Sequence, residues 1–234
     1  MIPLSSFAVR SVSAALLLAL GLGTVWALRE GGGRSSLVAQ AAIDLEATTE
    51  AHHTSEVTLI SLVVLWCALA AWLLMRRLSS PLARLAAGGL GAVIAYALSE
   101  AAKALIAADR PCRAYAVEVA TCPGAESMAY PSNHTVIAVA LAAAVVASAP
   151  RWAWAAAPLA AATGAGRVLA GHHYPHDVVA GAGLGLTVVI AAVLIASPPL
   201  RRTVIVPLTG EEPRRRIEES EPRGEDAPSA SACG

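Results

Sequence analysis

The chain has 234 residues, of which 56% are hydrophobic and 15% charged, and its 17 basic and 17 acidic side chains cancel to a net charge of zero. A soluble domain usually carries about 25% charged residues, so the composition excludes an ordinary soluble globule and gives no basic surface for a nucleic-acid partner. With a mean hydropathy of +0.59, and with the apolar residues gathered in long runs, the fold class expected is all-α: a polytopic membrane protein with six transmembrane helices in a bundle and a short extracytoplasmic loop region.

The first apolar run covers residues 12–28 and follows Arg10. It also has the length of a cleavable signal sequence, but no clean small-x-small site follows it. The polar stretch 31–56 is a first outer loop with room for a short amphipathic surface helix, and its His52 and His53 read as an exposed pair. The second run, 57–75, holds Cys67 as small apolar filler. The third, 85–106, contains Lys103, the only lysine in the chain. The fourth and fifth, 135–149 and 152–169, are separated by Pro150 and Arg151, which predicts a tight helical hairpin. The sixth is 178–196. Gly88, Gly89, Gly91, Gly181, Gly183 and Gly185 lie within helices, where small residues permit close packing. Residues 1–200 form one helical domain. Residues 201–234, with Arg214, Arg215 and Arg216 among glutamates, read as a disordered cytoplasmic tail.

Basic residues in short loops set orientation. Arg10, Arg76, Arg77, Arg84, Arg151, Arg201 and Arg202 fall on one side if six helices alternate, and that side is expected to be cytoplasmic. Both termini are then inside, in a plasma membrane. Arg110, His134 and His173 lie toward the outer face. Cys112 and Cys122 bracket a loop on that face, where disulfides persist, and are a candidate bridge.

Three polar clusters share this outer side. Lys103 and Arg110 are seven residues apart, close to two helical turns, so on a helix they share a face about 10 Å apart. Pro111 ends that element. A point charge and a planar fork suit a multiply charged oxyanion, although Glu100 also stands one turn from Lys103 as an ordinary ion-pair partner. Next comes Pro131-Ser132-Asn133-His134, at the start of the fourth run. Free backbone N–H groups at a helix start form an anion site, and also an ordinary helix cap. The third cluster runs from Arg167 through His173 to Asp177. The last two are four residues apart and share a helical face. A carboxylate there fixes the imidazole tautomer and frees the other nitrogen to attack. The alternatives are a polar loop, or a metal site made of His172, His173, His176 and Asp177.

In order and spacing these clusters resemble the signatures of the type 2 phosphatidic acid phosphatase family, the integral-membrane lipid phosphatases. Those signatures are K-x6-R-P, P-S-G-H and S-R-x5-H-x3-D. Here they read Lys103-x6-Arg110-Pro111, Pro131-Ser132-Asn133-His134 and Gly166-Arg167-x5-His173-x3-Asp177. The resemblance covers about 57–196. It implies hydrolysis of a lipid phosphate, without metal or cofactor, through a phosphohistidine. His173 would be the nucleophile, Asp177 its orienting carboxylate and His134 the general acid and base. Lys103, Arg110, Ser132, Asn133 and Arg167 would bind phosphate. A polyprenyl pyrophosphate is the expected substrate. Phosphatidylglycerol phosphate, phosphatidic acid and a polyprenyl-phosphoryl sugar phosphate are alternatives, as is a non-catalytic lipid-phosphate binder or transporter. Two positions depart from the pattern. Asn133 replaces a glycine, and asparagine tolerates positive φ. Gly166 replaces a serine and loses one hydroxyl.

Overall fold

Inside a membrane no water satisfies the peptide groups, so each apolar run closes its hydrogen bonds on itself as helix. The structure is a computed structural model and describes residues 4–30, 33–44, 48–115 and 122–210. Its helices are α1 (Leu4–Leu28), α2 (Gly33–Asp44), α3 (Thr48–Met75), α4 (Ser79–Ile106), α5 (Pro111–Ala114), α6 (Asn133–Ser148), α7 (Ala153–Leu169), α8 (Pro175–Leu200) and α9 (Val206–Thr209). There is no strand among the described residues. Four helical stretches are long and apolar enough to cross a membrane: Phe7–Leu28, Glu50–Met75, Ser79–Ala114 and Pro175–Thr209. Helices α6 and α7 have 16 and 17 residues, or roughly 24–26 Å of rise. The 3-10 turn Pro150–Trp152 joins them as the expected hairpin.

Helix α8 is the axis of the bundle and packs against α1, α4 and α6. Helix α3 lies on α7 and α6. Leu62, Leu69 and Leu73 of α3 meet Leu82 and Leu85 of α4, Val145 of α6 and Val189 of α8 in one buried cluster. The outer faces carry exposed Leu16, Leu20, Trp26, Ile60, Val64, Val93 and Val179, a continuous apolar coat suited to lipid rather than water. Cys67 is on that coat, so it is not the internal filler the sequence suggests. Gly181 lets α8 touch the start of α6: a Cβ there would lie 2.7 Å from the Ser132 carbonyl oxygen. The Ser132 N–H donates to the Asp177 carbonyl oxygen at 3.1 Å. Two of the three sequence clusters are joined by that approach.

The helices outrun the apolar runs. Helix α3 begins at Thr48 and brings His52, Ser55 and Glu56 onto helix. Beyond Leu200 the chain continues through a π turn, Arg201–Ile205, into α9. The boundary expected at residue 201 is therefore too early, because Ile205 and Thr209 are buried against the bundle. Residues 211–234, including the three tail arginines, lie outside the described residues. Arg10, Arg84, Arg201 and Arg202 line one cavity of about 370 Å³, and Arg151 stands over the Trp72 ring at 5.2 Å. These arginines occupy the end of the bundle opposite the three polar clusters.

Candidate active site

Helix α4 stops at Ile106, short of Arg110, because Ala107 turns into the left-handed region at φ 49° and its N–H caps the Lys103 carbonyl oxygen. Lys103 and Arg110 are therefore not on one continuous helical face, as the spacing predicts. Arg110 is instead the extended residue before α5, with Pro111 at the first helical position. Helix α5 is tied by Cys112, which is bridged to Cys122 with the Cα atoms 6.1 Å apart. The turn carries Arg110 into the protein, where it is 4% exposed.

Arg110 organises the site. Its Nε donates to the Ser127 carbonyl oxygen, its Nη2 to Ser127 Oγ and the Met128 carbonyl oxygen, and its Nη1 to the His172 carbonyl oxygen at 3.0 Å. Nη1 also lies 3.1 Å from His173 Nε2. A guanidinium only donates, so Nε2 must present its lone pair. The neutral ring then carries its proton on Nδ1, which lies 3.3 Å from Asp177 Oδ2. That pair is at ion-pair distance but outside hydrogen-bond geometry, since His173 Nδ1 has no hydrogen-bond partner. Catalytic contacts of this kind tighten when substrate binds.

His173 is 2% exposed and Asp177 0%. Asp177 Oδ2 accepts the Tyr174 backbone N–H at 2.9 Å, which fixes the carboxylate at the start of α8. Burial holds the His173 imidazole well below its usual range, and Arg110, Arg167 and Lys103 push it further down. Neighbouring His172 is held down to about 3, by burial first and then Arg167. The His173 ring is thus a neutral base with its Nε2 lone pair turned toward Arg110.

Ser132 is buried in extended backbone before α6, and its Oγ accepts from Thr135 Oγ1 at 3.1 Å. The first backbone N–H groups of α6 have no acceptor within the helix. Asn133 is the first helical residue and needs no positive φ. Its side chain accepts from Ser99 Oγ at 2.6 Å and donates to Glu100. Glu100 in turn pairs with Lys103 at 3.2 Å. The replaced glycine thus became a brace between α6 and α4. The second departure is explained just as locally. A Cβ on Gly166 would lie 2.9 Å from the Ala51 carbonyl oxygen and from Ser55 Cβ. Glycine lets α3 come close, and Ser55 Oγ then stands 3.4 Å from Arg167 Nη1. A hydroxyl reaches this arginine from α3 rather than from position 166.

Sequence reasoning missed the contribution of α3. His52 is not part of an exposed loop pair: its Nδ1 lies 3.2 Å from Arg167 Nη1, and its ring is 5.2 Å from that of His172. Glu56 lies 2.9 Å from His134 Nε2 and 3.2 Å from Arg167 Nη1. A usable signal existed, because His52, Ser55 and Glu56 have the spacing of one helical face. Helix α2 forms part of the roof, with Ser35 Oγ 2.8 Å from His176 Nδ1. His172 and His176 therefore face different partners, and among the described residues no three His, Cys, Asp or Glu side chains are grouped as metal ligands. A polar cavity of about 570 Å³ opens beside Lys103, Asn133, Ser127 and Tyr96.

Arg110 and Arg167 are buried cations that act electrostatically on the His173 imidazole, as does Lys103, and Lys103 and Asn133 at the start of α6 line the adjoining polar cavity. Residues 84–199 match the family model of the PAP2 superfamily. No curated protein matches the chain. Among solved structures, the chain is similar to the crystal structure of a transmembrane PAP2 type phosphatidylglycerolphosphate phosphatase from Bacillus subtilis. The identity is 20% and the TM-score 0.50, over 77% of this chain and 94% of the other.

Proposed function

The chain belongs to the PAP2 superfamily and is a membrane lipid phosphatase, and from that premise we propose that it hydrolyses its substrate through a phosphohistidine on His173. The observation that carries this reading is the arrangement Arg110–His173–Asp177. It leaves a lone pair on Nε2 and the ring proton against a carboxylate. A simple phosphate binder needs the cations but not that tautomer.

In the first half-reaction Nε2 of His173 bonds to phosphorus while the bond from phosphorus to the leaving oxygen breaks. His134 gives that oxygen a proton. In the second half a water oxygen attacks phosphorus, the P–N bond breaks, and His134 takes a proton from the water. Inorganic phosphate leaves and both histidines regain their starting states. Lys103, Arg110, Arg167, Ser132 and the Asn133 N–H hold the phosphoryl oxygens. Fixed donors in a site shielded from water are the main source of rate. No metal or cofactor takes part in this scheme.

A lipid fits the surroundings. An apolar groove of about 630 Å³ runs between α3, α4 and α6, lined by Trp66, Leu90, Val93 and Ile137. Tyr96 lines both this groove and the polar cavity at Lys103. The proposed substrate is a polyprenyl pyrophosphate of undecaprenyl type, its tail in the groove and its phosphates at the cations. A second reading, phosphatidylglycerol phosphate, is favoured by the activity of the Bacillus subtilis structural relative and by Glu100 and Glu126 on the cavity wall. Those carboxylates suit hydroxyl groups better than a second phosphate. Phosphate release from a panel of lipids by the purified protein tests both. Release from the pyrophosphate at the highest kcat/KM supports the first, and preference for the monoester supports the second. Binding without release from any lipid would leave only a non-catalytic role.

A further inference from the structure

We propose that Glu56 of α3 is the positioning carboxylate of His134, and that the two form a second histidine–carboxylate dyad besides His173 and Asp177. This rests on the phosphatase reading above and assigns a role that none of the three motifs contains. Glu56 Oε1 is 2.9 Å from His134 Nε2. An ionised carboxylate only accepts, so Nε2 carries the proton of this contact and Nδ1 is the nitrogen left to exchange a proton with substrate.

The charges around His134 make the partner necessary. Burial first, then Arg167 from α7 and, more weakly, Arg110 before α5, disfavour a positive charge on the ring. His172, ahead of α8, lies within electrostatic reach. From α4, Lys103 is paired with Glu100, and Glu100 is held by Asn133, the residue before His134. From α8, Asp177 is committed to the Tyr174 N–H and lies beside His173 and His176. Among the described residues Glu56 is the one carboxylate in a hydrogen bond with His134. A general acid must hold its proton until the leaving oxygen takes it, and the hydrogen-bonded carboxylate opposes the burial and the arginines that disfavour the charged ring. The same oxygen holds Arg167 Nη1 at 3.2 Å, so one side chain sets both the acid and a phosphate-binding cation.

The test uses the full chain in detergent or nanodiscs, with Glu56→Gln and Glu56→Asp compared with wild type. The first readout is the pH dependence of kcat on a lipid phosphate that wild type hydrolyses. The second is an NMR titration of 15N-histidine in the absence of substrate. Glu56→Gln should lower kcat by about tenfold or more with little change in KM, and move the basic limb of the profile to lower pH by about one unit. The His134 signal should titrate at correspondingly lower pH. Glu56→Asp should restore part of both. A kcat loss equal at all pH values, or an unmoved His134 titration in a folded Glu56→Gln protein, would overturn the proposal. If wild type releases no phosphate from any lipid, the phosphatase reading fails. The NMR arm then still decides whether Glu56 holds the His134 proton.

Discussion

At the residue scale, the state of His173 is fixed by a neighbour that cannot accept. Arg110 donates toward Nε2, Asp177 lies at Nδ1, and the ring is buried among cations. The direction of its shift gives a signed expectation. A histidine held below the ordinary imidazole value of 6.5 stays neutral and nucleophilic as the pH falls past 6.5. The acid limb of kcat/KM that reports its protonation in free enzyme should therefore lie below that value. Arg110→Gln removes the largest charge pushing the ring down, so that limb should move to higher pH, alongside a weaker KM. An unmoved limb would separate Arg110 from the nucleophile. The full kcat profile should be bell-shaped, and a rate flat from about pH 4 to 9 would contradict the acid–base pairing. Because no three His, Cys, Asp or Glu side chains among the described residues are grouped as metal ligands, chelator should leave activity intact. Loss of activity restored by zinc would revive the metal alternative. The letters of the three motifs were legible in the sequence. Partners such as Ser99 and Ser127 were not, because they reach the site through packing between elements, whereas Glu56 left only the helical spacing it shares with His52 and Ser55.

At the element scale, the helices extend past the hydrophobic stretches that announce them. Apolar periodicity marks the part of a helix that meets lipid, whereas the hydrogen-bond ladder continues into polar sequence. Helix α3 gains Thr48–Glu56 in this way and delivers His52, Ser55 and Glu56 to Arg167 and His134. Helix α4 does the reverse. It ends at Ile106 because Ala107 adopts φ 49°, a conformation costing roughly 1–2 kcal/mol for a residue with a Cβ, and Arg110 is thereby freed to enter the core. Gly166 gives the sharpest test of element packing. Restoring the family residue by Gly166→Ser should destabilise the folded protein by about 1–3 kcal/mol, since the added atoms meet the α3 backbone. A lowered Tm in detergent is expected. A Tm equal to that of wild type would mean that α3 does not approach α7 so closely.

At the scale of the whole molecule, charge is segregated along the bundle axis. Arg10, Arg84, Arg201 and Arg202 gather at one end, and every group assigned to chemistry gathers at the other. If loop arginines stay cytoplasmic, the proposed active site is expected on the extracytoplasmic side. In a Cys67→Ser, Cys233→Ser background, Glu30→Cys should react with a membrane-impermeant thiol reagent in intact cells, and Arg76→Cys only after permeabilisation. The reverse pattern would invert the topology. The order of six apolar runs was legible because spacing along a chain survives folding. The continuation from Arg201 to Thr209 was not, because the burial of Ile205 and Thr209 is a property of the assembled bundle.

The central claim is a covalent bond from phosphorus to one imidazole. Brief reaction of purified protein with 32P-labelled lipid phosphate, followed by alkaline quench and peptide mapping, reads it directly. Label is expected on the peptide containing His173, stable to base and labile to acid, and absent from His173→Ala. Full turnover by His173→Ala, or label on any other residue, would contradict it.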